Sequence, residues 1–161
     1  MNVGIVGIGV VGSANKAGFE KLGHNVLVHD IKLGTTISDV LDTDCVFVCV
    51  PTPSKSNGDC NTDIVESVIE ELSKAEYKGV VAIRSSTVPG FTRLMSERYK
   101  NLQICFVPEF VRERCAEHDF INEHELLAIG TKDNYIFDLK KKIFVLYLSQ
   151  EYLNYMHEKN G

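Results

Sequence analysis

The chain has 161 residues, 44% of them apolar and 24% charged, with a formal net charge of -5. That length allows one domain with a sizeable core, burying about two-thirds of the surface of the unfolded chain. The acidic balance argues against nucleic acid or an anionic membrane as partner. No apolar run approaches the roughly 20 residues a spanning helix needs, and the N-terminus lacks the pattern of a secretory signal. Five cysteines without C-x-x-C spacing suggest neither a disulfide framework nor a zinc site. The expectation is a reduced, cytoplasmic chain.

The first thirty residues organise the rest. Val3 to Val6 reads as a buried parallel strand, and Gly7-Ile8-Gly9-Val10-Val11-Gly12 follows at once, with a helical pattern from Val11. Asn25 to Asp30 reads as a second strand ending in a carboxylate. A G-x-G-x-x-G run between strand and helix, with an acid about 20 residues on, fits a dinucleotide pyrophosphate. Gly7 permits the tight turn, Gly9 lets the backbone approach the phosphates, and Gly12 lets helix and strand pack closely. The helix N-terminus then faces the phosphates with its unpaired N–H groups. Asp30 can accept hydrogen bonds from the adenosine ribose and repel a 2′-phosphate, which favours NAD over NADP, with Lys32 near enough to blur that preference. The bland alternative is a βαβ unit with a glycine-rich turn and no ligand.

Further along, a weak helical turn is expected around Ile37 to Leu41, then a buried strand from Asp44 to Val50 closed by Pro51-Thr52-Pro53. Asn61 or Thr62 can cap a helix with Ile64, Val65, Val68, Ile69 and Leu72 at helical spacing. Gly79 to Ile83 gives a strand ending in Arg84-Ser85-Ser86-Thr87, and a helix follows Val88-Pro89-Gly90 to about Lys100. Gln103 to Val107 is a strand closed by Pro108 to Glu113, and Leu126 to Gly130 a last strand. Asp133 to Tyr147 and the tail from Ser149 read as helical.

The alternation predicts an α/β fold, Rossmann-like and doubly wound, a mostly parallel sheet with helices on both faces. In such sheets ligands sit beyond the carboxyl ends of the strands. The polar clusters at Gly7 to Gly12, Asp30, Thr52, Ser85 to Thr87 and Glu109 to Glu113 all fall at such ends. Any one alone is ordinary turn chemistry; five on one edge suggest a cleft. By residue type alone, Glu109 and Glu113 read as an exposed acidic pair in a loop with Arg112 and Arg114.

At these residues the chain resembles the nucleotide-sugar dehydrogenase family. The opening GIGVVG with Asp30, the VPTP at Val50 to Pro53 with VESV at Val65 to Val68, the RSSTVPG at Arg84 to Gly90 and the FVPEFVRE at Phe106 to Glu113 are similar to the family's successive signatures. The resemblance covers roughly residues 1 to 130 and implies a cofactor domain over residues 1–147 with a tail over 148–161. It implies NAD as cofactor, held by Gly7, Gly9, Val10, Val11, Gly12, Asp30, Thr52, Ser86 and Glu113. It implies Thr87 positioning a water or the reacting hydroxyl, Glu109 acting near the reacting carbon, and Glu113 on the nicotinamide side. The backbone of Phe110, Val111 and Arg112 would touch a sugar nucleotide, UDP-glucose first among candidates. The family's catalytic cysteine lies in a G-x-C-[FL]-P-K-D motif that this sequence lacks, and the segment after Asp30 is short for the family. The expectation is therefore the cofactor half of such an enzyme, acting with a second half, a partner chain or a homo-oligomer. The alternatives are a catalytically silent NAD-binding module and a different NAD enzyme of the same fold, such as a hydroxyacid dehydrogenase. Cys115, with Arg112, Arg114 and His118 nearby, is a weaker candidate nucleophile.

Overall fold

The computed structural model describes residues 1–122 and 128–131 together with Ile136, Asp138 and Leu139. Five parallel strands form its sheet: β1 (Asn2–Val6), β2 (Asn25–His29), β3 (Cys45–Val48), β4 (Val80–Ile83) and β5 (Gln103–Phe106). Their order is β2-β1-β3-β4-β5. The chain leaves β1 outward to β2, then returns past β1 to β3, so the direction of winding reverses between β1 and β3. The carboxyl ends of those two strands flank the crevice where open α/β sheets take ligands.

Period-two alternation sorts the side chains onto two covered faces. Val3, Ile5, Cys45, Phe47, Val80, Ala82, Cys105 and Val107 form one core with Ala14 and Phe19 of α1 (Val10–Lys21) and Phe120 of α4 (Ala116–Asn122). Val6, Val46, Val48, Val81, Ile83 and Ile104 form the other. They pack against Val65, Val68, Ile69 and Leu72 of α2 (Asp63–Lys74) and Phe91 and Met95 of α3 (Phe91–Arg98). Burying an aliphatic or aromatic side chain of this size contributes about 1.5–3 kcal/mol, so both faces are needed to offset chain entropy. That is why the strands read as continuous apolar runs rather than alternating ones.

Helix α2 follows its sequence pattern, except that Ile64 stays exposed. Thr62 is its N-cap residue without a side-chain cap bond, while Asn61 accepts the Asp63 N–H at 2.9 Å, so the two candidates divide the task. The turn expected near Ile37 is a short 3-10 segment, Ile37–Val40, closed by a capping box between Thr36 and Asp39. The strand expected over Leu126 to Gly130 falls partly outside the described residues; within them, Gly130 makes an antiparallel bridge with Phe106. Of the helix expected over Asp133 to Tyr147, only Ile136, Asp138 and Leu139 are described, with Ile136 buried in the α1-side core. The tail lies outside the described residues. No helix among them is long and apolar enough to cross a membrane.

Candidate functional site

Because the strands are parallel, their carboxyl ends share one rim, and the five polar clusters meet there. The glycine loop is built from backbone. Gly7 has φ +92° and its N–H donates to the His29 carbonyl, tying the loop to the end of β2. A Cβ on Gly7 would lie 2.8 Å from the Cys49 carbonyl, and one on Gly12 would collide with the Gly7 carbonyl. A Cβ on Gly9 would meet nothing within 4 Å. Two glycines are therefore required by the fold, and the third faces open space. Gly9 caps α1 without a side-chain partner, so the first-turn N–H groups of Val10, Val11 and Gly12 point outward beside that space. Unpaired N–H groups at a helix N-terminus suit an anion.

Asp30 closes the other side of the crevice. Its carboxylate accepts the Ile8 N–H at 2.7 Å and the Lys32 N–H at 2.8 Å. These two backbone bonds hold it below the usual carboxylate range, so it stays charged. Each oxygen keeps a further lone pair for a hydroxyl donor. The loop carries the expected carboxylate to the edge of the glycine cradle. Exposed Ile31 and Leu33 flank it as apolar surface, a feature that no motif in the sequence marks.

The opposite side of the rim is built from charged side chains. Arg84 and Glu109 continue the alternation of β4 and β5 on the α1 side, which directs both under α1. They form an ion pair with side chains 0% and 9% exposed. Arg84 also donates to the carbonyls of Val107 and Pro108 and lies against the rings of Phe47 and Phe120, at 5.8 and 5.5 Å from their centroids. Burial weakens the guanidinium's hold on its proton and the adjacent carboxylate opposes that. Glu109 further accepts from Asn15 Nδ2 at 3.3 Å and from the N–H groups of Phe110 and Val111 at 2.9 and 3.3 Å. The expectation of an exposed acidic pair beside Arg112 and Arg114 is thus corrected for Glu109, whose partner is the buried Arg84. In the sequence, Asn15 and Arg84 show only as polar residues inside otherwise apolar helix and strand patterns.

Arg112 is engaged elsewhere. Its Nε and backbone N–H each donate to Asp119 Oδ2 at 2.9 Å, and its Nη2 donates to Oδ1 at 2.7 Å. Cys115 Sγ donates to the same carboxylate at 3.4 Å. Cys115 therefore faces a carboxylate that already holds the nearest guanidinium, which removes the argument for it as a nucleophile. Cys45 and Cys105 are buried core residues as expected, and burial pushes the Cys49 thiol up to about 12.

Of the remaining expected residues, Thr52 and Thr87 are half-buried at the rim, and Ser86 is exposed with its carbonyl accepting from Cys60 Sγ at 3.4 Å. Ser85, not Ser86, stitches β4 to β3, donating to the carbonyls of Val48 and Val50 at 3.2 and 2.7 Å. Phe110 is 62% exposed and Glu113 is exposed at the start of a 3-10 turn. These residues share the rim with the glycine loop without forming a bonded cluster.

A doubly wound sheet with an open glycine cradle and an acid at the end of its second strand defines a dinucleotide-binding Rossmann domain. The sequence profile described as the UDP-glucose/GDP-mannose dehydrogenase family, NAD binding domain, matches residues 28–147, and the chain belongs to that family. A UDP-glucose 6-dehydrogenase of Rickettsia bellii is 24% identical over 184 residues, covering 90% of this chain and 42% of its own length. The GDP-mannose 6-dehydrogenase of Pseudomonas aeruginosa is 30% identical over 119 residues, covering 65% of this chain and 27% of its own. A crystal structure of a ternary complex of the GDP-mannose dehydrogenase from that organism superposes with a TM-score of 0.78 at 25% identity, over 92% of this chain and 45% of the other. The chain thus spans less than half the length of these relatives. The Rickettsia alignment is also longer than the stretch of this chain it covers, so that relative carries residues with no counterpart here.

Proposed function

We propose that residues 1–147 are the cofactor half of a nucleotide-sugar dehydrogenase, oxidising the C6 alcohol of a sugar nucleotide such as UDP-glucose to a carboxylate together with a second half that supplies the nucleophile. The observation that supports this most is the glycine cradle open at Gly9 with Asp30 fixed at its edge, on the same rim as the loop from Glu109 to Glu113. NAD held there would supply the hydride acceptor. The N–H groups of Val10, Val11 and Gly12 hold the pyrophosphate, Asp30 the ribose, and Thr52, Ser86 and Glu113 line the way to the nicotinamide. Thr87 positions a water or the reacting hydroxyl. The backbone of Phe110 to Arg112 meets the sugar nucleotide, held in place by Asp119.

Glu109 is the carboxylate of the reaction region, paired with the buried Arg84. Four donors on that one carboxylate also favour a second reading, a module that binds NAD and leaves proton transfer to other groups. A single-turnover assay separates the two. Concentrated protein is mixed with NAD and UDP-glucose, and NADH absorbance followed. A signal means the chain completes a hydride transfer alone. A flat trace with NAD binding confirmed in the same sample means half a site, and addition of a chain bearing the catalytic cysteine then decides between half-enzyme and silent module. Absence of NAD binding overturns both.

A further inference from the structure

The segment after β2 is given a defined job by the structure. Asp30, a 3-10 turn over Ile31–Leu33 and Gly34 form a tight reversal, with Gly34 at φ +66° in the left-handed region that glycine adopts without strain. The reversal returns Thr35 to Asp30. Thr35 Oγ1 accepts the Asp30 N–H at 2.9 Å and donates to the Asp30 carbonyl at 3.2 Å. His29 Nδ1 lies 3.2 Å from the same oxygen. The single hydroxyl proton is used on the Asp30 carbonyl, so His29 is assigned as the Nδ1–H donor. One hydroxyl therefore clamps both backbone groups of the residue whose carboxylate faces the crevice. The carboxylate is gripped separately by Ile8 and Lys32.

We propose that Thr35 is a positioning residue for ribose recognition, orienting Asp30 toward the 2′-hydroxyl of the adenosine and so setting the preference for an unphosphorylated ribose. The inference rests on the reading of the crevice as an NAD site. Thr35 touches no ligand; it fixes the backbone from which the Asp30 side chain springs. Removing its hydroxyl leaves the Asp30 N–H without its partner and the Asp30 carbonyl with the Leu33 N–H alone. The backbone that aims the carboxylate is then held less firmly, while Ile8 and Lys32 still grip the carboxylate itself. Glycine-loop contacts to the pyrophosphate do not pass through Thr35, so phosphate binding persists.

The test compares ADP with 2′-deoxy-ADP by calorimetry on the full chain, because the two ligands differ only in the hydroxyl that Asp30 reads. The wild-type chain is expected to prefer ADP by about tenfold, the worth of a hydrogen bond to a charged acceptor. Thr35→Val should reduce that ratio to about twofold, chiefly by weakening ADP, while Thr35→Ser restores it. A merely structural role for Thr35 would weaken both ligands equally, and an unchanged ratio overturns the proposal. Loss of all preference in the wild-type chain, or of ADP binding, overturns the site reading itself and is seen before any variant is made. Should Thr35→Val fail to fold, amide exchange at Asp30 in the wild-type chain decides instead. Protection supports the clamp, and exchange at the rate of an open loop overturns it.

Discussion

The two sides of the carboxyl rim are built on opposite principles. On the β1–β2 side the site is backbone: Gly7 and Gly12 leave no room for a Cβ, Gly9 opens on free space, and the first turn of α1 presents N–H groups outward. The carboxylate of Asp30 there is gripped by backbone donors and keeps lone pairs for a ligand. On the β4–β5 side the charges face each other: Arg84 with Glu109, Arg112 with Asp119. The first side is a cradle prepared for an anion. The second is a loop braced by two ion pairs, with the N–H groups of Phe110, Val111 and Arg112 taken by Glu109 and Asp119 and the Phe110 side chain exposed. One rim thus offers an open anion cradle on one side and a loop braced by its own ion pairs on the other.

The largest effect should come from the bracing. Arg84→Met leaves the Glu109 carboxylate, its side chain 9% exposed, without its counter-charge, and such a break costs about 3–5 kcal/mol. Urea unfolding should show a midpoint well below the wild type at unchanged slope. Adding Glu109→Gln to the same chain should recover much of the loss, because the orphaned charge is gone. A single variant as stable as the wild type would mean that the β4–β5 side is not held by this pair.

Gly12→Ala and Gly9→Ala sharpen the contrast within the cradle. The first drives a methyl into the Gly7 carbonyl, so the turn must move, at about 1–3 kcal/mol of stability. The second meets nothing within 4 Å and should change stability by less than about 1 kcal/mol. Both should weaken NAD binding, Gly9→Ala by intruding on the space the pyrophosphate needs. Equal stability loss in the two variants would contradict the assignment of Gly9 to the ligand. Asp30→Ala should then weaken NAD binding by about 1–3 kcal/mol in calorimetry, the cost of leaving polar partners unmatched. Unchanged affinity would remove Asp30 from the site.

The backbone side is the one legible in sequence. Glycine spacing, apolar runs and a strand-end acid are local patterns, and local patterns specify both a turn and the strand and helix around it. The alternation of strands and helices likewise carries the doubly wound sheet. The charged side is illegible because its partners are far apart in the chain. Arg84 lies 25 residues from Glu109, and Asn15 reaches Glu109 across 94 residues. Only the register of β4 against β5, with the alternation carried on one residue past β4 to Arg84 and three past β5 to Glu109, places the two on the same face. Arg112 and Cys115 mislead for the converse reason: proximity in sequence suggests that they act on each other, whereas both turn to Asp119 on α4.

The smallest effect probes that Asp119 hub through pH. Bonds from the Arg112 guanidinium, then from its backbone N–H, hold the Asp119 carboxyl well below the ordinary carboxylate value of about 3.9. A group depressed on folding adds stability above its unfolded value and loses it as pH falls through the folded one. The contribution is therefore complete at neutral pH and decays only below about pH 4. Asp119→Asn should be less stable than the wild type at pH 7, and the difference should narrow as unfolding midpoints are followed toward about pH 3. A gap that stays constant over that range would mean that Asp119 acts through packing rather than charge. The loop from Phe110 to Arg112 would then be held to α4 as a shape and not, as the β4–β5 side otherwise suggests, by its charges.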